Sequence, residues 1–159
     1  MRNKLLSLLV LLTVLFSVLP FSAGAAEESY LEYTSSGNVF GGGNDLQVDQ
    51  DIEGDLVLAG STIKINGNVM DDFIGAGGEL TVNGDVSGNI IAFGGIIRVN
   101  GDVGGGDLVA AGGQIFLSQG STVEGDVLLA GGGDVNLNGG VVNGDGSVSA
   151  GTLRTGGGL

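Results

Sequence analysis

The feature that most constrains the fold is a 17-residue sequence that occurs three times in succession between Gly54 and Gly104. The copies read GDLVLAGSTIKINGNVM, DDFIGAGGELTVNGDVS and GNIIAFGGIIRVNGDVG, and they align without a gap. A repeat this short, rich in glycine and β-branched residues, is typical of solenoids built from stacked β coils. One such coil cannot bury its own apolar face, so each copy needs a coil above and below it.

The pattern extends over most of the chain. A less regular unit begins at Gly37, two longer units follow the extra glycine at Gly105, and a weakened unit fills 144–159. We therefore predict an all-β fold, a parallel β-helix of about six coils over 37–143. The last segment is predicted to be a decayed terminal coil or tail. Residues 26–36 lie outside the repeat and are predicted to be a lead-in or a cap on the first coil.

Alternation within the aligned units predicts three short strands per coil and assigns the core. Positions ten to twelve read apolar, variable, apolar, so their first and third side chains should point inward. Positions three to six are apolar throughout. If positions three and five face the core, position four and, at Phe93, position six form an apolar stripe outside, which we predict to mediate self-association. Two alternatives remain at this stage: the lead-in covers this face, or the assignment is shifted by one residue. The stripe residues are Val57, Ile74, Ile91, Phe93, Val109 and Leu128.

Aspartate recurs at two corners of the coil. Stacked carboxylates at the roughly 4.8 Å spacing of β coils repel one another, and bound calcium would relieve that repulsion. The competing interpretation is structural, because aspartate side chains accept backbone N–H bonds at tight turns. The calcium candidates are Asp55, Asp72, Asp85, Asp102, Asp107 and Asp126.

Asparagine marks a further corner and is predicted to form a ladder of stacked amides. The glycine that follows it is expected to supply the positive φ that tight turns need. Phe116 breaks the alternation of its strand, so we expect it to be exposed or to cover a flaw. The asparagines of this column are Asn66, Asn83, Asn100 and Asn138.

Composition removes whole classes of chemistry. The chain has no Cys and no His, so disulfides, thiolate sites and the commonest general base are excluded. The corners of the coil are too short to build a substrate cleft, and we expect neither an enzyme nor a cofactor, with calcium as the open alternative. Beyond residue 25, 3 basic residues face 18 acidic ones, a net charge of −15. This charge should repel nucleic acid.

The first 25 residues have the pattern of a secretory signal peptide. Arg2 and Lys4 precede the uncharged apolar run Leu5–Leu19, and small residues at 23–25 offer a cleavage site after Ala25. We predict a signal helix over 1–25 and a protein that is extracellular, periplasmic or associated with the cell envelope. An uncleaved membrane anchor is the alternative.

The repeated G-D-[VL]-x-x-[AG]-G-G-x-[IV]-x-[VI]-N-G-D-V pattern, from about Gly37 to Asn143, resembles the bactofilin family of polymer-forming cytoskeletal β-helix proteins. The resemblance implies a right-handed β-helix that assembles end to end without nucleotide and has no catalytic residues. This chain differs from the family in carrying an export signal, which moves the expected role to the envelope or cell surface.

Together these observations predict a non-enzymatic, self-assembling scaffold of the cell envelope that polymerises through the ends of its β-helix. Its main partner would be a second copy of itself, with membrane or envelope components as further candidates. The alternative is a secreted adhesin or binding module that calcium stabilises.

Overall fold

A computed structural model describes residues 29–156 of the chain. The predicted signal helix over 1–25 and the first residues of the lead-in lie outside this range. The described residues form a parallel β-solenoid of about 7 turns, and the predicted fold class is confirmed. Among them, no helix is long and apolar enough to cross a membrane.

Eight strands stack into one sheet and two short strands form a second. In the large sheet every pair is parallel except the first, where β1 runs antiparallel to β2. The strands are β1 (Tyr30–Tyr33), β2 (Val39–Val48), β3 (Leu56–Ile65), β4 (Phe73–Val82), β5 (Ile90–Val99), β6 (Leu108–Leu117), β7 (Thr122–Val123), β8 (Val127–Leu137), β9 (Val141–Val142) and β10 (Gly146–Thr155).

Residues at the same position of the repeat stack directly on one another. Leu56 pairs with Phe73, and Phe73 pairs with Ile90. The inward positions form one continuous core whose middle coils are fully buried. Within β3, Ile63 and Ile65 are buried on either side of an exposed lysine, as the alternation predicts. Burial of apolar surface between coils stabilises the fold by about 25 cal/mol per Å². It therefore supplies most of the stability.

The coil has fewer strands than the predicted three. Two predicted strands run together as one ten-residue strand, and the ladder is interrupted only at its middle corner, where Ser61 has no partner. The third side shrinks to one bridged residue, Val69, which lies between Ile52 and Val86. The reason is geometric, because Asn-Gly on one side and Gly-Asp on the other leave room for a single inward side chain.

The expectation of positive φ at the Asn-Gly corners is wrong for the regular coils. Among the described residues, positive φ occurs at Gly37, Gly43, Gly120 and Gly139, of which the last two lie within the lengthened corners. At Gly84 a different constraint applies: a Cβ would overlap the carbonyl oxygen of Gly67 in the coil below. Glycine is needed there for close approach of backbones.

The solenoid has about one turn more than the repeat count predicted. Gly146–Thr155, in the unit read as decayed, forms β10 and pairs in parallel with β8. The weakened sequence still fits because its inward residues Val148 and Leu153 stand over Leu129 and Val135. At the other end, β1, which lies in the predicted lead-in, pairs antiparallel with β2.

Candidate functional site

The predicted apolar stripe lies on the outer face of the solenoid. Five of its members stack in register from β3 to β8, and Phe93 occupies the neighbouring position of β5 beside Ala76 and Ala111. They are half-buried, apart from an exposed Leu128. Phe40 of the first coil continues the stripe and is 43% exposed. Sequence analysis missed Phe40 because the first unit matches the repeat poorly.

The described part of the lead-in does not cover this stripe. β1 extends the sheet beyond β2 at the end of the solenoid, where Tyr33 pairs with Val39. The stripe therefore forms a line of apolar side chains along one face of residues 29–156. Its alternation agrees with the inside–outside assignment made from the sequence.

The first acidic column links successive coils through backbone hydrogen bonds. Asp72 Oδ1 accepts from the backbone N–H of Asn89 at 2.7 Å, and Asp107 Oδ1 accepts from the backbone N–H of Asp126 at 2.8 Å. Asp126 Oδ1 does the same for Asp145 at 2.8 Å. Each side chain thus accepts a hydrogen bond from a backbone N–H of the next coil rather than from its own turn. The pattern uses one carboxylate oxygen and is equally available to asparagine.

The second acidic column repeats this arrangement at another corner. Asp85 Oδ1 accepts from the backbone N–H of Asp102 at 2.9 Å, and Asp102 Oδ1 accepts from that of Thr122 at 2.7 Å. Asn68 occupies the same column and accepts from Asp85 at 2.9 Å. A neutral side chain therefore serves where a carboxylate serves in the next coil, which identifies the hydrogen bond as the shared function of the column.

Carboxylates of Asp55, Asp71 and Asp72 come within 4.8 Å of one another, close enough to share a cation. Asp71 was not among the predicted calcium candidates, because it replaces the first glycine of the repeat and belongs to no acidic column. The predicted candidates of later coils do not join this cluster.

The asparagine ladder forms, but it is bounded differently from the prediction. Amide Nδ2 of Asn83 donates to Oδ1 of Asn66 at 2.7 Å, and Asn100 donates to Asn83 at 2.7 Å. Ser118 ends the ladder by donating to Asn100. Asn138 was predicted to belong and does not, because the coil beneath it has Ser118, not asparagine, at this position. Its backbone N–H bonds to Asn136 instead.

Asp49 forms the lower end of the ladder. Its carboxylate accepts from Asn66 Nδ2 at 2.6 Å and from Gln47 Nε2 at 2.9 Å. These two hydrogen bonds, that from Asn66 first, hold the pKa of Asp49 below its ordinary value of 3.8. The carboxylate therefore stays ionised to lower pH than a free aspartate.

Phe116, which breaks the strand alternation, is half-buried beneath a cation. The Arg98 guanidinium lies 5.3 Å from the centre of the Phe116 ring, and it also forms an ion pair with Glu79. The three side chains come from consecutive coils and form a small outward cluster. Phe116 was expected to be exposed or to cover a flaw; its ring is instead half-buried, with the Arg98 guanidinium over it.

The two ends of the solenoid differ in how well the core is closed. At the first coil Val39 and Leu46 are 1% and 2% exposed, whereas Leu153 in β10 is 45% exposed although it occupies the same inward position as Leu46. The outer edge of β10 has no neighbouring strand among residues 29–156. Sequence analysis predicted self-association through the ends of the β-helix and a decayed last coil, but it did not predict that the two ends differ.

Comparison of the chain with protein-family models, curated proteins and solved structures gave no match.

Proposed function

We propose that this protein is a non-enzymatic structural component of the cell envelope or cell surface that self-associates through the ends of its β-solenoid. The bactofilin-like repeat, with its implied end-to-end assembly, supports the proposal. The predicted export signal supports a location outside the cytoplasm. The partner is a second copy of the chain.

The observation that carries the proposal is the open last coil. The outer edge of the ten-residue strand β10 is paired with no other strand of residues 29–156, and Leu153 within β10 is 45% exposed at an inward position. Natural proteins normally protect such edges, because another strand can add to them. An unprotected edge above an unfinished core favours strand addition as its use.

The experiment is negative-stain electron microscopy of the exported chain over a range of concentrations, with light scattering on the same samples. We expect rods at least two solenoids long. Uniform single particles at every concentration would contradict self-association.

A calcium-stabilised adhesin or binding module is the second candidate, and the cluster of Asp55, Asp71 and Asp72 is the observation that favours it. Calorimetric melting with calcium and with a chelator separates the two candidates. If calcium binds this cluster in the folded state, Tm should rise as the calcium concentration is increased, because binding stabilises the folded state. An unchanged Tm would exclude the calcium-stabilised module and leave the scaffold as the remaining candidate.

A further inference from the structure

The two ends of the solenoid differ among residues 29–156: β1 pairs with the first coil, whereas the last coil ends in the unpaired edge of β10. We propose that β1 closes the N-terminal end against other copies, whereas β10 pairs antiparallel with β10 of a second copy. This inference rests on the proposed self-association and makes it specific: with β1 docked, the assembly is a two-fold pair.

The N-terminal end is built to receive β1. The first coil has Gly41 and Gly42 at the positions where the second coil carries Leu58 and Ala59. A Cβ at Gly41 would overlap Leu31, and one at Gly42 would touch the Tyr30 ring. Leu31 packs against the core in the space this leaves.

Hydrogen bonds fix β1 in that seat. The backbone N–H of Thr34 donates to the carbonyl oxygen of Asn38 at 2.9 Å. In return, the backbone N–H of Asn38 donates to Thr34 Oγ1 at 3.0 Å. The backbone N–H of Asp45 donates to Ser29 Oγ at 3.3 Å, which extends the cover beyond the four paired residues. Because β1 is antiparallel, it ends the parallel stack, and a further coil cannot add to the covered part of β2 in the register of the repeat.

At the C-terminal end, the inward residues of the last coil are less buried than those of the first coil. Val135 is fully buried beneath Leu153, but Leu153 itself is 45% exposed, since no coil of residues 29–156 lies above it. Val142, the inward residue on the short third side of the preceding coil, is only half-buried, whereas Val123 beneath it is fully buried. Backbone groups along the outer edge of β10 therefore surround an apolar surface that only another coil could bury.

Symmetry identifies a second copy as the occupant. Two solenoids that meet through the same end are related by a two-fold axis across the stack, so their last strands run antiparallel. Each strand bends at the corner Ala150–Gly151, where the ladder to β8 is irregular. The two corners must coincide, which sets Ala150 opposite Gly151 of the second copy.

That register matches core to core. It sets Val148 opposite Leu153 of the second copy, and both residues stand over buried residues of β8. A register shifted by one residue would set inward positions against outward ones. The same strand is thus complementary to itself in one antiparallel alignment.

Charge agrees with this register. Arg154 is the one basic residue of β10, and it forms no ion pair among residues 29–156. In the antiparallel alignment it lies opposite Ser147 of the second copy and diagonally beside that copy's Asp145. Two such diagonal Arg–Asp contacts form by symmetry, and diagonal neighbours on one face of a sheet are close enough for long side chains to interact.

The mass of the exported chain in solution is the first test. We expect twice the mass of one chain and no growth beyond that. Long filaments in the native chain would overturn the one-ended assembly while leaving the proposed scaffold function in place. A single-chain mass at all concentrations would overturn both.

A matched pair of variants tests the contact. Leu153→Glu places a charge in the proposed interface and should halve the mass of the assembly. Leu128→Glu is the control, because Leu128 has nearly the same exposure, 44% against 45%, but lies on the outer stripe of the coil below. If Leu153→Glu still pairs, or if only Leu128→Glu separates the copies, the assigned contact is wrong.

Disulfide trapping tests the register, since the chain has no cysteine of its own. Ser149 and Thr152 of opposite copies face each other in the proposed pair, so a mixture of Ser149→Cys and Thr152→Cys should form mixed disulfides. The rival head-to-tail stack would bring Arg154 over Gln47 instead. Crosslinking between Arg154→Cys and Gln47→Cys in place of the first pair would overturn the antiparallel alignment.

Release of β1 tests its role as a stopper. Leu31→Glu weakens the contact of β1 with the core, and Gly42→Phe fills the space of the Tyr30 ring with a side chain that β5 carries at the same position, Phe93. Both variants should form assemblies longer than two solenoids. Circular dichroism establishes that the solenoid is folded, and proteolysis near β1 establishes its release. A folded, released variant that remains a pair would refute the stopper.

Discussion

At the scale of single residues, the acidic corners are explained by acceptance of hydrogen bonds between coils. Asp72 receives both the backbone N–H and the side-chain amide of Asn89 through one oxygen, at 2.7 and 2.9 Å. Asn89 occupies the same column and itself accepts from Asp107 at 2.9 Å. What the column requires is a short side chain with an oxygen acceptor, and negative charge is incidental to that requirement.

This requirement predicts different outcomes for two substitutions of Asp72. Asp72→Asn keeps the acceptor and should change the free energy of unfolding by less than about 0.5 kcal/mol. Asp72→Ala leaves the N–H of Asn89 without its partner and should cost about 1 kcal/mol. Urea unfolding followed by circular dichroism measures both. Equal losses in the two variants would show that charge, and hence a bound cation, matters at this corner.

The pKa of Asp49 gives a second prediction at this scale. Hydrogen bonds from Asn66 and Gln47 lower the pKa of Asp49 in the folded state, so the stability they add is complete above the ordinary value of 3.8. That stability is lost as pH falls through the still lower folded-state pKa. Titration by nuclear magnetic resonance should find the Asp49 midpoint below 3.8 and, in Asn66→Ala, shifted back upward. A midpoint unaffected by Asn66→Ala would contradict the assignment.

At the scale of one strand, β4 shows how a coil with an unusual core residue still fits the stack. Phe73 is fully buried where neighbouring coils have Leu56 and Ile90. Gly75, two residues on, gives its ring room, and a Cβ there would overlap the end of the ring. Large and small residues thus compensate along the strand, which keeps every coil the same size.

Gly75→Ala should therefore destabilise the protein by about 1–3 kcal/mol through overpacking. The double variant Phe73→Leu with Gly75→Ala should recover most of that loss, because it reproduces the Leu108 and Ala110 pair of β6. Thermal unfolding of the single and double variants measures the coupling. Gly104→Ala is the control, since a Cβ there meets no atom closer than 3.9 Å; a loss there equal to that of Gly75→Ala would contradict the packing account.

Sequence predicts what repeats and misses what does not. The inward and outward positions of β3 and β4 follow from alternation alone, since the neighbouring strands repeat the same pattern in register. The antiparallel pairing of β1 could not be derived, because no periodicity relates Tyr30 to Gly42. Sequence analysis did not predict that Asp71 lies close to Asp55, because the two residues occupy different positions of the repeat. Only the stacking of coils brings them together.

At the scale of the whole molecule, the solenoid behaves as a series of interchangeable layers. Its strands meet only their neighbours in the stack, and the hydrogen-bonded columns link residues 17 apart through the regular coils. In such an architecture, stability is approximately a sum of layer and interface contributions. Closure at β1 and exposure at β10 are then properties of the ends, independent of how many layers lie between them.

Deletion of one complete layer tests this independence. Removing residues 71–87 would bring β5 onto β3 with every column aligned: Ile90 over Leu56, Ile97 over Ile63 and Asn100 over Asn66. We expect a folded solenoid one turn shorter, with a lower unfolding midpoint and unchanged assembly through β10, because neither end is altered. Removing residues 71–80 instead shifts all columns and should prevent folding. Circular dichroism, urea unfolding and light scattering compare the two deletions. If both deletions fail to fold, the layers are not interchangeable, and the stack depends on the particular residues of its third coil, Phe73 and Gly75 foremost.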